Sequence, residues 1–79
     1  MKKIEVTAQF TASGKIIPHS FCIGKNSHRV HSFGRQWADE VGKHFLVMDI
    51  NAQTYHLVFS PQECTWHIAA GSQAPAVSV

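Results

Sequence analysis

Lys43-His44-Phe45-Leu46-Val47-Met48-Asp49-Ile50, then Thr54-Tyr55-His56-Leu57-Val58-Phe59, then Cys64-Thr65-Trp66-His67-Ile68 are three alternating runs in close succession. In the first two, Phe45, Val47, Tyr55, Leu57 and Phe59 occupy odd positions. In the third, Trp66 and Ile68 share one side and Thr65 and His67 the other. Successive side chains of a strand point to opposite faces, so each run has one packed face and one wetter face. The interruptions Asn51-Ala52-Gln53 and Ser60-Pro61-Gln62-Glu63 carry turn residues, and the three runs together read as an antiparallel meander.

Working towards the amino terminus, Ile4, Val6, Ala8 and Phe10 alternate with Lys3, Glu5, Thr7 and Gln9, which predicts a first strand from about Lys3 to Phe10. Ala12-Ser13-Gly14 makes a turn. A second strand follows from Lys15 to Ile23, where Pro18 calls for an edge position or a bulge because it has no N–H to give a central ladder. After the turn at residues 24–27, His28 to Phe33 reads as a third strand. Residues 34–42 lie between two glycines and mix helix formers with charges, so they read as one helical turn with Trp37 and Val41 pointing inward.

The expected fold is therefore all-β or β-dominated: a six-stranded antiparallel meander curled into a small open barrel, with one short helical turn. Curling protects edges that a flat sheet would leave open. Residues 1–69 form the single small domain, and 70–79, without periodicity, are expected to be a disordered tail.

The chain has 79 residues, a formal charge of +2 and scattered basic side chains, which neither demands nor excludes an acidic partner. Two cysteines, Cys22 and Cys64, without a CxxC pair, fit free thiols in a reducing, cytoplasmic setting. Met1-Lys2-Lys3 leads into an amphipathic strand, not an apolar signal core, and no run approaches membrane-spanning length.

The order of Gly14, Pro18, Phe21, Val30, Trp37, Phe45, Val47, Tyr55, Leu57 and Trp66 resembles that in a group of small uncharacterised bacterial proteins, a domain-of-unknown-function family whose β-meander ends in a Trp-containing strand. The resemblance spans about Ile4 to Ile68. His56 stands where that family often has an acid, and the turn at Asn51 lacks its usual glycine. The resemblance implies a fold but no reaction, cofactor or catalytic residue.

Chemistry is sparse. No serine has a glycine elbow, both cysteines sit in strand patterns, and the acids are dispersed apart from Asp39-Glu40, which suits a solvated cap. No enzyme activity and no cofactor are expected. Six histidines are the one compositional excess. A four-residue turn after Phe59 would place His56 opposite His67, a cross-strand pair with the geometry for weak metal binding and mutual charge repulsion. Residues 25–37 offer Lys25, Arg29 and Arg35 with interleaved Phe33 and Trp37, a candidate single-stranded nucleic-acid surface. The leading expectation is a non-catalytic binding module, a monomer or weak dimer away from membranes. It would serve as an adaptor or structural domain whose exposed strand edge near Pro18 takes up a partner protein.

Overall fold

The structure, a computed structural model, describes residues 2–69. The tail expectation at 70–79 lies outside them. Seven antiparallel strands, with no helix among the described residues, form one curled half-barrel: β1 Lys2–Phe10, β2 Ile16–Ile23, β3 Asn26–Arg29, β4 Ser32–Ala38, β5 Lys43–Met48, β6 Thr54–Ser60 and β7 Thr65–Ile68.

The three C-terminal runs are β5, β6 and β7, and their alternation sorts the side chains as the sequence reading requires. Phe45, Val47, Tyr55, Leu57, Phe59, Trp66 and Ile68 join Phe21 in one buried cluster on the inner face, with Ile4, Val6, Ala8, Ile16, Ile23 and Val30 packed against it. Burying that apolar surface is the dominant favourable term for a chain of this size.

Two parts of the expected fold are corrected. Residues 34–42 are not a helical turn: β4 runs to Ala38, and residues 39–42 form the tight β4–β5 turn. Trp37 lies directly across from His44 on the outer face, and Val41 is 51% exposed in the turn, so neither points inward. A bulge masked the strand. Phe33 opposes Val47 and Gln36 opposes Phe45, so Gly34 and Arg35 together face Leu46. One extra residue destroys the two-residue period that reveals a strand.

The predicted third strand is also split. β3 ends at Arg29 and β4 begins at Ser32, and the two do not pair. The strand order is β3-β2-β1-β7-β6-β5-β4, two short meanders joined where β1 pairs with β7. β3 and β4 thus stand at opposite ends of the sheet while only Val30 and His31 separate them in sequence. The Val30 N–H donates to the His19 carbonyl and the His31 N–H to the Met48 carbonyl, so this link ties the two ends of the sheet together. A sheet whose ends are joined by two residues has to curl.

Pro18 sits at a bulge, one of the two placements expected for it: Thr7 opposes Ser20 and Ala8 opposes Pro18, leaving His19 as the extra residue. Cys22 and Cys64 are free thiols, and Cys64 lies in the β6–β7 turn with a positive φ, not in a strand. Among the described residues no helix is long and apolar enough to cross a membrane.

Candidate functional site

The first candidate site is the seam where the half-barrel fails to close. β3 covers β2 only over Ser20–Ile23, so residues 16–18 have no partner strand on that side among the described residues. β4 is the last strand in the order, and its outer edge has no partner strand among the described residues either. Between these two edges lies a cavity of about 430 Å³ lined by Gly14, Lys15, Ile16, Ile17, Phe33, Gln36, Lys43 and Phe45. Phe33 is 46% exposed, a large aromatic at the sheet margin, whereas Phe45 forms a buried floor. Among the described residues the only ionisable side chains in this lining are the two lysines, so the seam is apolar with a positive rim.

The second candidate is a cluster on the outer face of β4, β5 and β6. His44 Nε2 lies 2.8 Å from Asp39 Oδ1, and His44 Nδ1 lies 2.8 Å from His56 Nε2. Trp37 stacks on His44 with centroids 4.8 Å apart and planes 6° from parallel, and its ring is tilted against His56 at 5.2 Å. The Arg35 guanidinium lies 5.2 Å from the Trp37 ring centroid. His44 is 8% exposed. Val58, directly opposite both His44 and His67, is fully buried although it is on the face away from the core.

Asp39 terminates β4 by accepting the Val41 and Gly42 N–H groups, 2.9 and 3.3 Å away, on the same oxygen that receives His44. The hydrogen bond from His44 holds the Asp39 carboxyl below the usual carboxylate range, burial opposes this, and the turn amides reinforce it.

The register expected for the histidines is not the one the fold makes. His67 opposes Val58, and His56 opposes Leu46 on its other side, so His56 and His67 are not a directly opposed pair. The fold brings His56 to His44 instead. The His56 pKa is lowered first by burial and second by the His44 charge, with Asp39 opposing. The sequence signal for this pair was present: His44 and His56 both sit at even positions of their runs, on the face opposite Phe45 and Leu57. Among the described residues no group of three or more His, Cys, Asp or Glu side chains is arranged to hold a metal ion.

The basic residues of 25–37 are dispersed over different elements. Lys25 is in the β2–β3 turn, Arg29 is exposed on β3, and Arg35 lies over Trp37 on β4. Arg29 lines two further cavities of about 400 and 450 Å³, and neither includes Lys25 or Arg35. Trp37 is already stacked against His44, and Phe33 belongs to the seam.

A third polar cluster is structural. Asp49 is 5% exposed and closes the β5–β6 turn: its Oδ1 accepts the Asn51 and Gln53 N–H groups at 2.9 and 3.0 Å, and its Oδ2 accepts the Tyr55 hydroxyl at 3.1 Å. His28 Nδ1 lies 3.6 Å from Oδ2, which links β3 to this turn. Burial is the largest single influence on Asp49 and pushes its pKa up, but these donors together with His28 outweigh it and hold the carboxyl below its ordinary value. A carboxyl depressed in the folded state contributes stability that is present above the unfolded pKa, about 3.9, and is lost as pH falls through the lower folded value. Asp49→Asn is expected to destabilise the protein by about 1–3 kcal/mol at neutral pH, because an amide N–H₂ then faces donors. It should also flatten the acid limb of stability against pH, measured by urea unfolding between pH 2 and 7. An unchanged acid limb would show that Asp49 does not set it.

The chain matches no protein-family model, no curated protein and no solved structure. What it does must therefore be read from the seam and the outer-face cluster themselves.

Proposed function

We propose that the protein is a non-catalytic adaptor that takes up an extended segment of a partner protein along the open seam. The observation that carries this reading is the pairing of a roughly 430 Å³ apolar cavity with two strand edges that lack partners among the described residues, the start of β2 and the outer edge of β4. An extended peptide laid into the seam gains main-chain hydrogen bonds from an edge strand, and its alternate side chains enter the apolar floor. Pro18 has no N–H, so β2 offers donors only on either side of it, and the longer edge is that of β4, interrupted at its bulge at Gly34 and Arg35. With Lys15 and Lys43 on the rim and no acid in the lining, charge complementarity selects a segment carrying carboxylates.

The test uses peptides displayed on phage, selected on the unmodified protein and counter-selected on Lys15→Glu/Lys43→Glu. Acidic, alternating peptides should be enriched. Their binding should weaken roughly tenfold or more in the charge-reversed variant, since about 1.4 kcal/mol corresponds to each factor of ten. Peptide addition should shift the amide resonances of Ile16, Ile17 and β4. Enrichment of basic peptides, or none at all, sinks the reading. Salt-sensitive binding of single-stranded oligonucleotides that is lost in Arg29→Ala/Arg35→Ala would replace it with a nucleic-acid function.

A further inference from the structure

His44 has little exposed surface and both of its ring nitrogens engaged, one by a carboxylate and one by a second imidazole. Those contacts dictate where the protons are. An ionised carboxylate only accepts, so His44 Nε2 carries the hydrogen it gives to Asp39. A neutral ring has one N–H, which leaves His44 Nδ1 as an acceptor, and His56 Nε2 must then be the donor. Both rings are Nε2–H tautomers, and no other arrangement with two neutral rings satisfies both 2.8 Å contacts.

One added proton fits this geometry. Placed on His56 Nδ1, it leaves every hydrogen bond of the chain intact. A second proton does not fit. It must go to His44 Nδ1, where its N–H would point straight at the His56 N–H, with two positive rings in contact. The neighbouring charges do not relieve this. Among the described residues Asp39 in the turn is the only acid bonded to the pair. Arg35 approaches through Trp37 on β4, Lys43 precedes His44 on β5, and His67 on β7 shares the outer face, with Lys3 of β1 opposite it.

We propose that Asp39, His44 and His56 form an acid-sensitive latch that holds the β4–β5 hairpin against β6 and is released when the two histidines together take up a second proton. Asp39 grips the hairpin turn through Val41 and Gly42, and His44 passes that grip to His56 on β6. Breaking the contact between the histidines pushes the turn end of the hairpin away from β6 at the point where Val58 is fully buried. The latch stands on this geometry alone. A further consequence rests on the seam reading: Gln36, Lys43 and Phe45 of the same hairpin line the seam, so release should weaken peptide uptake in acid.

Long-range proton–nitrogen NMR at neutral pH should show both rings as Nε2–H tautomers. On acidification the pair should titrate in two separated steps that belong to the pair and not to either ring. At the second step, amide exchange of residues 42–45 and 57–59 should accelerate about tenfold, the scale of one lost hydrogen bond. In His56→Gln, the side-chain amide still donates to His44 Nδ1 but cannot titrate, and this acceleration should disappear. In Asp39→Asn, which retains the acceptor oxygen but loses the negative charge that favours imidazolium, the second step should move to lower pH. Independent one-step titrations, the opposite tautomer on His44, or the same acid-induced exchange in His56→Gln would each overturn the latch. Peptides selected on the seam then separate the two readings. A functioning latch with no peptide binding removes the adaptor and leaves the latch, and peptide binding that is indifferent to the second proton removes only the coupling.

Discussion

Replacing Trp66 with alanine is expected to cost about 3–5 kcal/mol, the largest loss of any single truncation proposed for this chain. Trp66 is only 7% exposed, and its ring lies 5.6 Å from that of Phe45 and 5.1 Å from that of Phe59, so removing it opens a void bounded by aromatic rings that cannot collapse onto one another. It also sits opposite Ile4 where β1 joins β7, the junction between the two meanders. Small domains have total stabilities of only about 5–15 kcal/mol, so the variant loses a large fraction of its stability and should unfold at a markedly lower temperature. Urea unfolding followed by far-ultraviolet circular dichroism measures the loss directly. A loss below about 1 kcal/mol would mean that Trp66 does not anchor the inner face.

Gly42→Ala is expected to be nearly as damaging, for a reason of backbone space. Gly42 closes the β4–β5 turn with φ +156°, and a Cβ built there would collide with the Phe59 carbonyl oxygen of β6. That oxygen belongs to the backbone, so the clash can be relieved only by moving β6 or the turn. Overpacking of this kind costs typically about 1–3 kcal/mol, and a backbone conformation that side-chain-bearing residues rarely adopt adds about 1–3 kcal/mol. Since the turn also carries Asp39, the same substitution should perturb the His44 and His56 resonances 2.8 Å along the chain of hydrogen bonds. By contrast, alanine at Gly34 meets only Leu46 atoms 3.5–3.6 Å away and serves as the tolerated control. Equal stability of the two variants would show that the hairpin turn does not press on β6.

The seam and the latch lie on opposite faces of one hairpin, which explains how a domain this small can contain both. The inner face of β4 and β5 presents Phe33, Gln36 and Phe45 to the seam, and the outer face presents Trp37 and His44 to His56. Strand alternation is what separates them, since neighbouring residues Gln36 and Trp37 are sent to opposite sides.

Local alternation determined a large share of this protein. The odd residues of β5 and β6, Trp66 and Ile68, and the bulge near Pro18 follow from period and from the missing proline N–H, and those rules act within a few residues of chain. The strand edge near Pro18 was legible for the same reason. Tertiary structure alone decided the rest. A one-residue bulge hid β4 behind an i, i+4 spacing of Trp37 and Val41 that a helix would also have produced. The pairing of β1 with β7 and the separation of β3 from β4 depend on which distant edges meet when the sheet curls, and no neighbouring residues record that choice. The partner of His56 is likewise a matter of register. Every two-residue slip keeps the same side chains on the same face, so face was readable from the sequence, but the 2.8 Å contact with His44 was set only by the packed ladder of β5 against β6.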